Sequence, residues 1–246
     1  MVLRPRLAAT VALAILAACR TSAPPAAIDP ALSARVPPAT VALAGVDLDR
    51  LRTSPAFAKF PPAARAFLQP FDRAHQVLIA STGAELLAIA RGPVPGATQI
   101  APDLALSGAP NLIAAATAVH PPAAILAPAE SVAPTSPLWL AIRGGIALPL
   151  EGNLGNVNNL LRDTDYVTLA AQPNDPADLN LVAHCLTPAA AVRFEQSFRA
   201  IVSLAAAANA RQPAIARLLL SIRIQRDALV VRASLTAPLD VLAKLP

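Results

Sequence analysis

Twice along this chain a strand pattern is followed by a helical pattern and then by two more strand patterns. That order constrains the fold more than any single motif. In the first passage residues 40–46 read as a strand, and a helical stretch covers 49–71 with a break at Pro61-Pro62. Gln76–Ser81 and 85–91 read as a hairpin through Thr82-Gly83, where glycine supplies the positive φ of a tight turn. In the second passage Leu138–Arg143 reads as a strand and 153–162 as a short helix. Residues 166–171 and 179–185 then form a hairpin pattern through Asn174-Asp175-Pro176. Alternating strands with one polar face imply antiparallel sheets covered by helices on the other face. The expected fold class is α+β, with antiparallel sheets covered by helices in a tandem strand-helix-strand-strand repeat. Ferredoxin-like halves and one sheet shared by both halves both satisfy this order.

The clearest helix follows the second hairpin. Thr187 suits its N-cap and Pro188 its first turn. Val192, Phe194, Phe198, Ile201, Val202 and Ala205 recur at three- and four-residue steps, while Glu195 and Arg199 are spaced to pair on the other face. A second helix starts at Pro213. Leu220, Ile222 and Ile224 then alternate with polar residues, Arg226-Asp227 turns, 228–235 returns, and 238–245 closes as a helix. Residues 92–102 and 120–137 are proline-rich and read as linkers around a helix at 111–119. The body therefore divides into halves at 39–130 and 131–246. Apolar residues make up 55% of the chain but aromatics only 3%, so the core must be built from small side chains in close contact.

The N-terminus carries a different message. Arg4 and Arg6 precede a short apolar run over 7–16, and Leu16-Ala17-Ala18-Cys19 follows. A basic region, a short apolar region and small residues form a secretory signal, too short for an ordinary membrane span. With a cysteine at the cleavage point it resembles the lipobox of bacterial lipoproteins. The resemblance implies that residues 1–18 are a signal peptide and that Cys19 is acylated. Residues 19–38, rich in proline and alanine, then read as a tether. Arg20 rather than aspartate after Cys19 resembles cargo for the outer membrane, facing the periplasm if the organism is diderm. Beyond residue 19 the chain is similar to secreted bacterial proteins rich in Ala and Pro, with no transferable activity.

Cys185 is then the one thiol of the body, so no internal disulfide forms. Strand alternation places Cys185 and His184 on opposite faces, which excludes a nucleophile–base pair. Cys185 reads as core and His184 as surface. His75, His120 and His184 are far apart in sequence, without a local metal-ligand set. Asp47/Asp49 and Asp163/Asp165 are the paired carboxylates, but each sits where a helix begins or ends, and Asp49 suits an N-cap. The run Gly152-Asn153-Leu154-Gly155-Asn156-Val157-Asn158-Asn159 matches no phosphate-binding pattern and suits a turn and helix start. Trp139 and Tyr166, on strands, suit a core or a sheet face. No G-x-S-x-G is present. The net charge of +5 falls to +3 without Arg4 and Arg6, which is no nucleic-acid footprint.

The expectation is a non-enzymatic, membrane-anchored lipoprotein of the cell envelope, with Cys19 as its one functional residue. It implies no cofactor, no metal and no catalytic residue. The partners are the membrane through the anchor, and either another envelope protein or an apolar ligand. A carrier for a lipid-like ligand is the alternative, and an enzyme with a dispersed site ranks below both.

Overall fold

The structure, a computed structural model, describes residues 28–60, 62–147 and 155–242. The signal sequence, Cys19, most of the first half of the expected tether, and Gly152 to Leu154 lie outside these residues. The described chain begins with α1 (Pro30–Ser33), β1 (Ala42–Asp47), α2 (Leu48–Thr53) and α3 (Pro62–Leu68). The strands β2 (Gln76–Ser81), β3 (Leu86–Arg91), β4 (Thr98–Ala101) and β5 (Leu104–Gly108) follow, then α4 (Pro110–Thr117) and α5 (Leu126–Val132). The second half comprises β6 (Leu138–Arg143), α6 (Gly155–Leu161), β7 (Thr164–Gln172) and β8 (Ala177–Cys185). It ends with α7 (Pro188–Ala208), α8 (Pro213–Leu220), β9 (Arg223–Asp227), β10 (Val230–Ala237) and α9 (Leu239–Leu242).

All ten strands join one antiparallel sheet in the order β4-β5-β3-β2-β1-β6-β7-β8-β10-β9. From the central β1–β6 pair outward, the halves read 1-2-3-5-4 and 6-7-8-10-9. The strand-helix-strand-strand order thus occurs twice, within a single sheet. Neither half has the ferredoxin-like order, in which the first and third strands would be neighbours. The helical segment after β1 returns the chain antiparallel beside β1 itself, so β2 takes that place.

One close approach makes the central pair. Gly45 on β1 lies opposite Trp139 on β6, and the indole crosses the glycine. A Cβ on Gly45 would meet Trp139 Cε2 at 2.1 Å. Trp139 is buried in the first-half core with Leu43, Leu78, Leu87, Ile89 and Leu106. α1, α4 and α5 cover that face through Leu32, Leu112, Ala116, Leu126 and Ala129. On the opposite face Leu48, Leu51, Leu68 and Phe71 pack against Val77 and Ala90. The first half is therefore covered on both faces, because its strands are apolar on both. The second half is covered along one face, where Phe194, Ala190 and Ala191 of α7 meet Ala183, Cys185 and Val231, and on the other only by α5, over β6 and β7.

Three sequence expectations change. Ile28, Leu32 and Val36 are buried, so residues 28–36 belong to the body and not to a tether. Their four-residue spacing forms an apolar stripe, and Asp29 caps α1 with Pro30 in its first turn. The stretches 92–102 and 120–137 are not plain linkers, since they contain β4 and α5. Pro128 lies in the first turn of α5, where its missing N–H costs nothing. The last hairpin turns at Ala228-Leu229 rather than Arg226-Asp227, with Ala228 at φ 47°. Thr187 and Pro188 behave as expected, and the Thr187 hydroxyl accepts from the Ala190 N–H at 3.1 Å.

The seam gives a direct test. Gly45→Ala should cost at least about 1–3 kcal/mol through overpacking against the indole. Urea unfolding followed by Trp139 fluorescence measures it, because the chain has one tryptophan. An unchanged midpoint would show that the indole does not lie across Gly45.

Candidate functional site

The second face of the second half, which α5 covers only at β6 and β7, runs over alternate residues of β7 and β8. Tyr166, Thr168, Ala170 and Gln172 point to the side of Trp139 and Ala141, their neighbours being set by the β6–β7 register. Asn180, Val182 and His184 share that side through the β7–β8 register, in which Tyr166 faces His184 directly. The two rings stack with centroids 4.3 Å apart and planes 22° from parallel. The end of α5 and the turn after it form a wall, with Ser131, Val132, Thr135 and Ser136. The result is a groove of about 310 Å³ between that wall and the strands, within the ~300–1,000 Å³ of small-molecule sites. A second cleft, with Arg143 and Asp165, adjoins it at Tyr166.

The groove contains no formal charge. Burial lowers the His184 pKa below its ordinary 6.5, and Arg232 lowers it further, against a smaller opposite effect of Asp165. His184 is therefore neutral at pH 7. Burial raises the Tyr166 phenol, with Asp165 adding to it. Ser136 and Thr168 are 2% and 5% exposed. Among the described residues, neither hydroxyl, nor the side chain of Gln172, Asn180 or His184, has a hydrogen-bond partner within the chain. Neither hydroxyl is sealed from the surface either, so both open into the groove.

Most of the other sequence candidates are engaged where they stand. Asp47, not Asp49, caps α2, accepting from the Arg50 N–H at 3.0 Å. Asp49 meets His75 Nδ1 at 2.9 Å and Arg52 at 3.5 Å. Asp47, Asp49 and His75 share an open cleft with Asp29 and Arg91, which pair at 3.4 Å. Asp163 accepts two bonds from Arg193, at 2.6 and 3.1 Å. Asn159 accepts from Arg162 at 3.1 Å. His120 touches the Pro121 carbonyl, and its Nε2 is sealed without a partner. No group of three His, Cys or carboxylate side chains among the described residues is arranged to hold a metal. Cys185 lies in the α7-facing core, away from His184, and burial raises its thiol pKa.

Glu195 pairs with Arg199 as the helical spacing required, and with Arg226 of β9 at 3.0 Å. Both partners hold its carboxyl below the usual range. On the other side of the sheet, a seam joins the halves. Lys59 meets Asp175 at 2.6 Å, and the Ser54 hydroxyl donates to the Pro173 carbonyl. Beside it Phe60, Leu138, Ala171, Leu179 and Leu239 line an apolar crevice of about 170 Å³. That is close to the ~150 Å³ cavity that holds one benzene.

The Tyr166–His184 pair was within reach of the sequence. A hairpin centred on Asp175 places Tyr166 opposite His184 by counting back along both strands. The groove wall was not, because α5 lies in a stretch that reads as a linker.

The shift at His184 has a sign. Its folded value lies below the ordinary 6.5, so in that range the folded chain holds fewer protons than the unfolded one. The resulting stability is present above pH 6.5 and is lost as pH falls through the folded value. Titration of the His184 ring by NMR should give a midpoint below 6.5, and a midpoint above it would show a solvated or carboxylate-paired ring.

No family model matches the chain, and no curated protein matches it. Among solved structures it is similar to TP0453 in two crystal forms. Crystal form I has a TM-score of 0.48 and 12% identity, over 88% of this chain and 95% of that one. Crystal form III has a TM-score of 0.47 and 10% identity, over 89% and 99%. A likeness of this size carries nothing about function.

Proposed function

We propose that the protein is a lipid-anchored component of the bacterial cell envelope, and that its α+β body is a non-enzymatic binding module. The observation that carries this reading is Leu16-Ala17-Ala18-Cys19 behind Arg4, Arg6 and a short apolar run. Acylation at Cys19 would hold the body at a membrane, each buried methylene contributing about 0.8 kcal/mol. Because the body already begins at Ile28, only residues 20–27 separate it from Cys19. Eight residues reach at most about 29 Å. The body therefore works close to the bilayer surface. Its binding surface is the groove under α5, where polar side chains are unpartnered, whereas Asp47, Asp49 and Asp163 elsewhere are engaged in capping and ion pairs.

The carrier reading has one observation in its favour, the seam crevice. Its volume suits a single small apolar group and is too small for a diacyl lipid.

Cys19→Ser should abolish palmitate labelling and release the chain from membranes in fractionation. Labelling that survives the substitution would overturn the anchor. A photo-crosslinking residue at Asn180 should capture an envelope component in intact cells, and the same probe at Ser203, on α7, should not.

A further inference from the structure

The groove side chains share one chemical property. The amides of Gln172 and Asn180, the hydroxyls of Ser136 and Thr168, and neutral His184 can each donate and accept a hydrogen bond. A carboxylate or phosphate ligand would need cations, yet among the described residues no Lys or Arg lines the groove, and exposed Arg232 and Arg143 stand at its margin beside Val182 and Tyr166. A fully apolar ligand would strand these groups without water. An extended peptide added by strand pairing would need an open edge, yet β7 and β8 are each flanked on both sides. The remaining ligand class has many groups that both donate and accept, no charge, and an apolar face for the outer side of the ring pair. A pyranose has those properties.

The two halves of the sheet supply an independent argument. The second and third strands of each half occupy matching places. In the first half they face the helices with Leu78, Ala80, Leu87 and Ile89, all buried. In the second half the same side bears Tyr166, Thr168, Asn180, Val182 and His184. Helix α5 covers this face only at its β6–β7 margin, where Trp139 and Ala170 are buried, and the polar residues beyond it leave the groove open.

We infer that the α5–β7–β8 groove binds an uncharged sugar ring, packed against the outer side of the stacked Tyr166–His184 pair and hydrogen-bonded by Thr168, Gln172 and Asn180. This deepens the binding-module reading and rests on it. The ring could come from a free envelope glycan or from the headgroup of a sugar-bearing lipid, and the chemistry is the same.

The test uses the full chain in a zwitterionic detergent without sugar. Saturation-transfer NMR with the β-1,4-linked N-acetylglucosamine tetramer should show contact with the ring protons. Asn180→Ala and Thr168→Val should each weaken binding about tenfold, as expected for one lost hydrogen bond. Ser203→Ala, on the far face, should leave binding unchanged. A parallel arm offers vesicles carrying a monohexosyl lipid, and binding in that arm alone supports the sugar and assigns the headgroup as its source. No transfer in either arm overturns the inference, as does equal binding by both groove variants or tighter binding of a galacturonate tetramer. Should Asn180 crosslink to a protein while both sugar arms fail, the inference falls and the binding-module reading stands.

Discussion

The contact between Gly45 and Trp139 joins the two halves into one sheet, and the rest of the structure depends on it. Among the described residues, β1 and β6 are the strands through which the halves pair. Their backbones alone would give an ordinary ladder. The indole adds the largest buried side chain at the junction, and it fits only because position 45 has no Cβ. An aromatic residue contributes more burial per position than any alternative. In a chain with 3% aromatics, that contribution cannot be spread elsewhere. On the opposite side the Lys59–Asp175 pair and the Ser54–Pro173 bond tie the same halves together at the surface. Such exposed contacts hold register more than they add stability.

A shared sheet allows the halves to differ. The first half is buried on both faces, and its core takes in helices from before β1 and after β5. The second has its long helix α7 on one face only. Had the second half folded separately, it would have kept α7 on one face but left Thr168 and Ala170 uncovered on the other. Joined to the first half, it is braced by β6 and by α5, and it can carry polar side chains without loss of the core. Thr168 and Ser136 can then be nearly buried and still lack partners, a condition that costs stability in an ordinary interior.

Where the sequence was legible, local chemistry decided the outcome. Thr187-Pro188 starts α7, Glu195 and Arg199 pair, Leu138–Arg143 is a strand, and Cys185 faces the core away from His184. It was illegible where composition and tertiary context disagreed. Prolines at 30, 37 and 38 read as a tether, but the stripe of Ile28, Leu32 and Val36 buries that segment. Four- and five-residue strands at β4 and β5 are too short for periodicity to show. The strand order within each half needed partners that no local pattern names. For the candidate site, the ring pair followed from one turn position, while its wall depended on α5 crossing over from the other half.

One row of residues across the sheet links the seam to the groove. Ile89, Leu78, Gly45, Trp139, Ala170, Asn180, Ser234 and Arg223 lie side by side across eight strands. The row begins in the sealed core and ends in solvent, and Ala170 is the point of change: buried with Trp139, it also lines the groove. A larger residue there would fill the groove floor, and a polar one would weaken the core beside the indole. The groove is therefore the margin of the first-half core, held open by the same packing that joins the halves. Any change that loosens Trp139 moves Ala170, and with it the floor on which Tyr166 and His184 stand.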